Sequence, residues 1–434
     1  YAGVSQAVLT VGEPPEPDTL ESAGVTDPAL RKFVMDQIGA ADREDAPYVV
    51  TKGDMRRLGV VTLENVSNLD GLEYADGLRG LMIEGGELSD LTPLTKVHNL
   101  NLERLSITGT NITAFPPLDN LSDFGKRHFN TLELENNALT DITGISSIPN
   151  LEAARLSGNQ ISNLSPLSGK ASLQVLELSD NAVTSLQDLK NLSNLKLLWL
   201  NGNPGITDVS PLKNLTGLEQ LDLSGTSPSA GSLAALSSLP VQALNVNNLY
   251  PEGGGDGMEA ALALLWSENQ PTQLLKQVRS LHLSGLGLSN PSFLRLLVSK
   301  AQSVSEDPLV ETDVAPFLFI DLSKNRFLAG DYVQAELDLL RESGATVWFQ
   351  GQEPGEDSLA VPSIPVGSYK VMAVLQAPPY ALPDSVTNLK LTFRNMDSPL
   401  PAGSVLSLDL PGVEPIGDTS LTLDQALGRD EQLE

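Results

Sequence analysis

Phe129-Asn-Thr-Leu132-Glu-Leu134-Glu-Asn-Asn137 is followed, at a 22-residue step, by Leu151-Glu-Ala-Ala154-Arg-Leu156-Ser-Gly-Asn159. Two further 22-residue steps bring Leu173-Gln-Val-Leu176-Glu-Leu178-Ser-Asp-Asn181 and Leu195-Lys-Leu-Leu198-Trp-Leu200-Asn-Gly-Asn203. The shared frame is LxxLxLxxN, and it recurs in register. Its LxL core alternates with period two, which predicts a short strand with the leucines turned inward. The asparagine ends the strand. Its side-chain amide satisfies backbone groups of the turn and, where copies stack, those of the neighbouring copy. One copy cannot bury its own leucines, so stacked copies share a parallel sheet and one continuous core, which makes a curved solenoid.

Outward from this stretch the frame loosens. Leu78, Leu81 and Ile83 make the first clear copy, with Gly86 in the asparagine place, and Leu102, Leu105 and Ile107 the next, with Thr110 there. After Asn203, Leu218-Leu221-Leu223 ends at Thr226, and Val241-Leu244-Val246 at Leu249. Later copies, at Leu281 and Ile320, are separated by insertions with helical periodicity over 258–269, 291–302 and 331–343. The first of these places Met258, Leu262, Leu265 and Trp266 on one face. Val347-Trp348-Phe349 reads as the last strand, and tight outer turns are expected near Pro93, Pro166 and Pro211.

Both flanks differ from the repeats. Residues 3–11 read as a strand with Ala7, Leu9 and Val11 on one face and Val4 and Val8 on the other, followed by a Pro-rich acidic linker. Asp27-Pro28 opens a helix whose face carries Leu30, Phe33, Val34 and Ile38, and Thr51-Lys-Gly-Asp54 opens a shorter one. Beyond 353, strand-like runs at 369–375, 386–393 and 405–410 suggest a small β domain, short of the roughly seven strands of a sandwich. The expected architecture is α/β. Residues 1–26 form an arm and linker and 27–68 a helical N-terminal cap. Residues 69–352 form the solenoid, helical on its convex side in later repeats, and 353–434 a small all-β domain with an acidic tail.

Composition narrows the function. Of 434 residues 41% are hydrophobic, enough for a long core. Cysteine is absent, which excludes disulfide and thiolate chemistry. The formal net charge of -28 argues against nucleic acid and anionic membrane surfaces, and no run approaches a membrane span. The chain starts at Tyr1 rather than Met, the expectation for a mature exported chain or a trimmed one.

Three copies share an outer-face phrase: Leu88-Ser-Asp-Leu-Thr-Pro93-Leu94, Ile161-Ser-Asn-Leu-Ser-Pro166-Leu167 and Ile206-Thr-Asp-Val-Ser-Pro211-Leu212. With the LxxLxLxxN frame, this resembles the 22-residue leucine-rich repeats of internalin-like bacterial surface proteins. The helical cap and the Leu69-Asp-Gly-Leu72-Glu-Tyr74 entry are similar to that family's N-terminal cap. The resemblance covers about residues 27–350 and implies an exported, extracellular or cell-surface bacterial protein with an Ig-like module behind the repeats. It carries no ligand over, because the family changes partners through its concave face. The helical later repeats and the N-terminal strand depart from the pattern.

Residues between the inward leucines face the concave side: Met82, Ser106, Glu133, Arg155, Glu177, Trp199, Asp222, Asn245, His282, Asp321 and Trp348. Glu133, Arg155 and Glu177 fall on adjacent strands and read first as a charge ladder, worth about 0.2–1 kcal/mol per pair, and second as a recognition patch. Trp199, beside Leu197, has two readings: a binding hot spot, or lateral packing on Glu177 and Asp222. Catalysis has little support. His98, His128 and His282 are spread apart, and no HExxH, P-loop or GxSxG occurs. Gly253-Gly-Gly-Asp256-Gly257 reads as a helix lead-in, and the six Asn-x-Ser/Thr sequons fall mostly out of the repeat consensus. The expected function is non-enzymatic binding of a protein or glycan, with no cofactor and no metal. A carboxylate pair acting on glycans is the enzyme alternative. A structural alternative is a head-to-tail filament, in which strand 3–11 is donated to the β domain of the next molecule.

Overall fold

The structure, a computed structural model, describes residues 20–42, 47–251, 253, 255–267, 270–304, 314–327 and 330–352, and the backbone of five short strands beyond them. The repeats form strands β1 (Val60–Glu64), β2 (Gly80–Glu84), β3 (Arg104–Thr108), β4 (Thr131–Glu133), β5 (Ala153–Arg155) and β6 (Val175–Glu177). They continue with β7 (Leu197–Trp199), β8 (Gln220–Asp222) and β9 (Ala243–Asn245). A two-residue hairpin, β10 (Trp266–Ser267) with β11 (Gln270–Pro271), precedes β12 (Ser280–His282), β13 (Phe319–Asp321) and β14 (Thr346–Trp348). Apart from the hairpin, these strands pair in parallel and in chain order as one 12-stranded sheet. The sheet begins at β1, inside the stretch 27–68 expected as a helical cap and ahead of the expected solenoid boundary at residue 69.

The core follows from the LxL alternation. Leu132, Ala154, Leu176, Leu198, Leu221, Leu244, Leu281 and Ile320 occupy one register line across β4 to β13, all buried. Each full leucine burial contributes about 1.5–3 kcal/mol. The asparagines close the turns and join the copies. Asn203 Nδ2 donates to Leu178 O and Leu200 O, both at 2.9 Å, and its Oδ1 accepts from Val183 N at 2.9 Å. Asn159 does the same with Leu134 O, Leu156 O and Leu139 N. Thr226, in the same place, reaches only Leu223 O of its own copy.

The outer connections scale with repeat length. Tight 3-10 turns occupy Thr143–Ser147, Ser165–Leu167, Gln187–Leu189 and Ser210–Asn214, with Pro166 and Pro211 near their starts. Helices stand elsewhere. α1 (Pro28–Ile38) and α2 (Lys52–Met55) precede the sheet. α3 (Thr92–Lys96), α4 (Asp123–His128) and α5 (Ala230–Ala234) are short. α6 (Gly257–Leu265), α7 (Gln273–Gln277), α8 (Ser292–Gln302) and α9 (Asp331–Glu342) follow. Around Pro93 the expected turn is the single-turn helix α3.

The helix expected to reach 269 ends at Leu265. Trp266 is extended (φ -139°, ψ 126°) and pairs with Pro271 in the hairpin. The chain turns back there, and Thr272 takes the last helix carbonyls, its N donating to Leu265 O at 3.1 Å and its Oγ1 to Leu264 O at 2.8 Å. The face that α6 buries is Gly257, Ala260, Ala261, Leu264 and Leu265 rather than the line from Met258 to Trp266.

The chain divides into two compact units, Tyr1–Leu359 and Ala360–Glu434. In the second, β15 (Val371–Gln376) and β16 (Lys390–Asn395) pair antiparallel, and β17 (Val405–Ser407) pairs with β18 (Ser420–Thr422). β19 (Gln432–Leu433) joins β16. The last two strands were not expected from the sequence, and β19 lies inside the acidic tail.

Candidate concave-face binding site

The parallel register turns the residues between leucines into one file. Glu133, Arg155, Glu177, Trp199, Asp222, Asn245, His282, Asp321 and Trp348 are direct partners from strand to strand, β4 through β14. Ser106 and Met82 continue the same file toward the N-terminus, Ser106 pairing with Glu133 and Met82 with Ser106.

The first part of the file is a continuous ion-pair ladder. Arg155 Nη1 binds Glu133 Oε1 at 2.9 Å, and its Nε binds Glu177 Oε1 at 3.1 Å. Arg104 adds Nη2 to Glu133 Oε2 at 2.9 Å. Burial pushes the Glu177 carboxyl up to about 7, against the attraction of Arg155 and with repulsion from Glu135 and Glu133. Burial also raises the Glu135 carboxyl above its usual range. Arg104 and Glu135 belong to the cluster, but a reading confined to the position between the leucines passes over them. Extending the alternation one step beyond each leucine finds both.

The middle of the file is Trp199, half-buried, with Glu177 on one side and Asp222 on the other. Leu197 also faces the concave side by alternation but is 0% exposed. It therefore acts as a floor beside the indole, not as a presented contact. Asp222 Oδ2 accepts from Asn245 Nδ2 at 2.8 Å, and its Oδ1 accepts from Ser224 N at 2.8 Å. Burial raises the Asp222 carboxyl, and these bonds and nearby His282 oppose the rise.

The last part is aromatic. The His282 ring lies 4.8 Å from Phe319, which meets Trp348 edge-on at 4.6 Å. Ser280 Oγ and His282 Nε2 are 3.2 Å apart. Burial lowers the affinity of His282 for a proton, opposed by Asp321 and Asp222. Asp321 is itself buried, 6% exposed, and accepts from Ser323 N.

Other sequence candidates fall elsewhere. Asp256 of the glycine-rich loop accepts from Met258 N and Glu259 N and so caps α6. Val4, Ala7, Val8, Leu9 and Val11 lie outside the described residues. Among the described residues no group of three or more His, Asp or Glu side chains is arranged to hold a metal. Among them, no helix is long and apolar enough to cross a membrane.

Repeat, sheet and asparagine ladder together define a leucine-rich repeat protein. The family model for leucine rich repeats in two copies matches residues 171–214 and 193–238. Several solved structures are similar. An internalin of Listeria monocytogenes matches with a TM-score of 0.51 at 20% identity, over 75% of this chain and 89% of that chain. Internalin C2 from the same bacterium is 31% identical over 50% of this chain and 93% of its own, with a TM-score of 0.39. A leucine-rich repeat protein of Leptospira interrogans is 17% identical over 69% and 74%, with a TM-score of 0.43. No curated protein matches the sequence. The chain is thus a leucine-rich repeat solenoid, related in fold to the bacterial internalins and to other leucine-rich repeat proteins.

Proposed function

We propose that this is a non-enzymatic, exported bacterial surface protein that binds a protein or glycan partner through the concave face of its solenoid. One observation carries the reading: Trp199 stands half-buried in the centre of the concave file, where its neighbours are polar. A large aromatic left partly in water in a ring of polar groups is the pattern of a binding hot spot. In this reading α1 and α2 act as the N-terminal cap, and residues 360–434 as the Ig-like module that the internalin resemblance implies.

The test is recovery of a partner. Immobilised wild-type protein, Trp199→Ala and Asn245→Arg are exposed to the same cell-surface extract. The expected result is a clear drop in recovery for each variant, with a loss of affinity of roughly thirtyfold for Trp199→Ala, the scale of a lost hot spot at about 2 kcal/mol. Equal recovery by all three removes the concave file as the binding surface.

A further inference from the structure

The concave file carries a specific chemistry for its partner. Glu177 and Asp222 stand one strand to either side of Trp199 in direct register. Neighbouring strands are about 4.8 Å apart, so both carboxylates are within reach of a group seated on the indole. Among the described residues no cation lies over the Trp199 ring and no second ring packs on it. Beside it, Val175 and Leu197 are register partners and form an apolar floor.

Charge on this stretch is unbalanced after internal pairing. Glu133, Glu135, Glu177 and Asp222 face Arg104 and Arg155, and Arg155 is already divided between Glu133 and Glu177. Among the described residues no Lys or Arg forms an ion pair with Asp222, which is held by Asn245 and Ser224. Burial makes the charged form of both Glu177 and Asp222 costly. An arriving cation relieves that cost, whereas a neutral sugar stacked on the indole does not.

We propose that Trp199, Glu177 and Asp222 together form a seat for an Arg or Lys side chain from a basic polypeptide segment. The charged head lies over the indole between the two carboxylates, and the aliphatic stem lies on the half-buried Val175 beside it. The attraction of a cation for the indole face adds to the two carboxylates. The chain's net charge of -28 draws a basic partner in and repels an anionic one. This inference rests on the concave-face reading and names the partner's chemistry.

The full chain is titrated with a fluorescent glycine–serine peptide containing arginines, and with the same peptide containing neutral citrulline. Binding is followed by anisotropy at low and at moderate salt. The arginine peptide is expected to bind roughly tenfold tighter than its citrulline counterpart and to weaken with salt. Trp199→Ala should lose most of that preference. Glu177→Gln, which keeps an oxygen for Arg155 Nε, should lose severalfold in affinity with unchanged circular dichroism. Diffuse attraction to an acidic protein would survive Trp199→Ala, so equal affinity in that variant overturns the proposal. So does no measurable binding of the arginine peptide, or equal binding of the two peptides. Binding of a neutral cello-oligosaccharide that Trp199→Ala abolishes, with no arginine preference, also overturns it in favour of a glycan. In that last outcome the concave-face reading stands. It falls only if concave variants leave partner recovery unchanged.

Discussion

Among the described residues Glu177 and Lys300 are the two charges that burial disturbs most, and they act in opposite directions. Glu177 is 5% exposed, and burial holds its carboxyl near 7 despite Arg155. Between 4.5 and about 7 the folded chain keeps a proton that the unfolded chain has released, so stability from this group falls as pH rises through that window. Lys300 is 1% exposed, donates to Val278 O and lies over the Phe317 ring. Burial, with Arg279 adding repulsion, pushes its ammonium down to about 7. Between about 7 and 10.5 the folded lysine is neutral while the unfolded one is charged, so its contribution to stability rises with pH. Thermal melts from acid to alkaline pH check both signs. Glu177→Gln should flatten the acid-side decline and stabilise at neutral pH by on the order of 1–2 kcal/mol. Lys300→Met should flatten the alkaline rise. A Glu177→Gln profile parallel to wild type would show that Arg155 fully compensates the charge. None of these magnitudes is legible in the sequence. Alternation places Glu177 on the concave face, but its burial is set by Trp199 and Arg155 on the adjacent strands. Leu197 is the same case: its position was readable and its complete burial was not.

At the level of one repeat, the turn after each strand couples neighbouring copies. Asn136, Asp180 and Asn248 adopt left-handed backbone angles, and the side chain of each lies over a glycine of the following copy: Gly158, Gly202 and Gly285. At Gly202 φ is +69°, and a Cβ there would overlap Asp180 Oδ1. Gly202→Ala therefore combines backbone strain with a displaced Asp180 carboxylate, which is exposed and can rotate away, and we expect a loss of about 1–2 kcal/mol in denaturant melts, most of it strain. In an Asp180→Ala background the clash disappears and only the strain, about 1 kcal/mol, should remain. Additive losses in the double variant would rule out coupling through this contact. Asn203→Ala should cost about 2–3 kcal/mol, because it leaves Leu200 O and Val183 N buried without partners and Leu178 O with Asn181 Nδ2 alone. The strands and asparagines were legible because one frame repeats at a fixed step. The end of α6 was misread because the 3.6-residue pattern continues through Trp266, while the helix is closed by Thr272, which returns through the hairpin to its last carbonyls, a contact that periodicity does not show.

Across the whole molecule, stability in a stacked fold is close to a sum over neighbours, so the two ends of the solenoid need not matter equally. The buried core runs without a break from Ala23 to Ala345. At its start, α1 buries Leu30, Val34 and Met35, and Asp27 ties the helix to the chain beyond β1 by accepting from Ser67 N at 2.8 Å and Ser67 Oγ at 2.9 Å. Asp27 also caps α1 through Ala29 N and Leu30 N, which together hold its carboxyl below its usual range despite burial. Losing these three side chains would cost about 5–9 kcal/mol at 1.5–3 kcal/mol each, as much as the net stability of a typical domain. Residues 360–434, by contrast, are a compact unit of their own. The helical start was readable from Asp27-Pro28 and the apolar spacing behind it. The second unit was readable as a change in composition with three strand-like runs, which overlap β15, β16 and β17; β18 and β19 were missed because these short strands lack a repeating frame. We therefore expect a chain ending at Gln352 to keep a single cooperative transition with a Tm within about 3 °C of the full chain. A chain lacking residues 20–58 should melt far lower or not fold. Scanning calorimetry of both truncations decides the matter. A large drop on removing residues beyond 352, or a small one on removing α1 and α2, would reverse the roles assigned to the two ends.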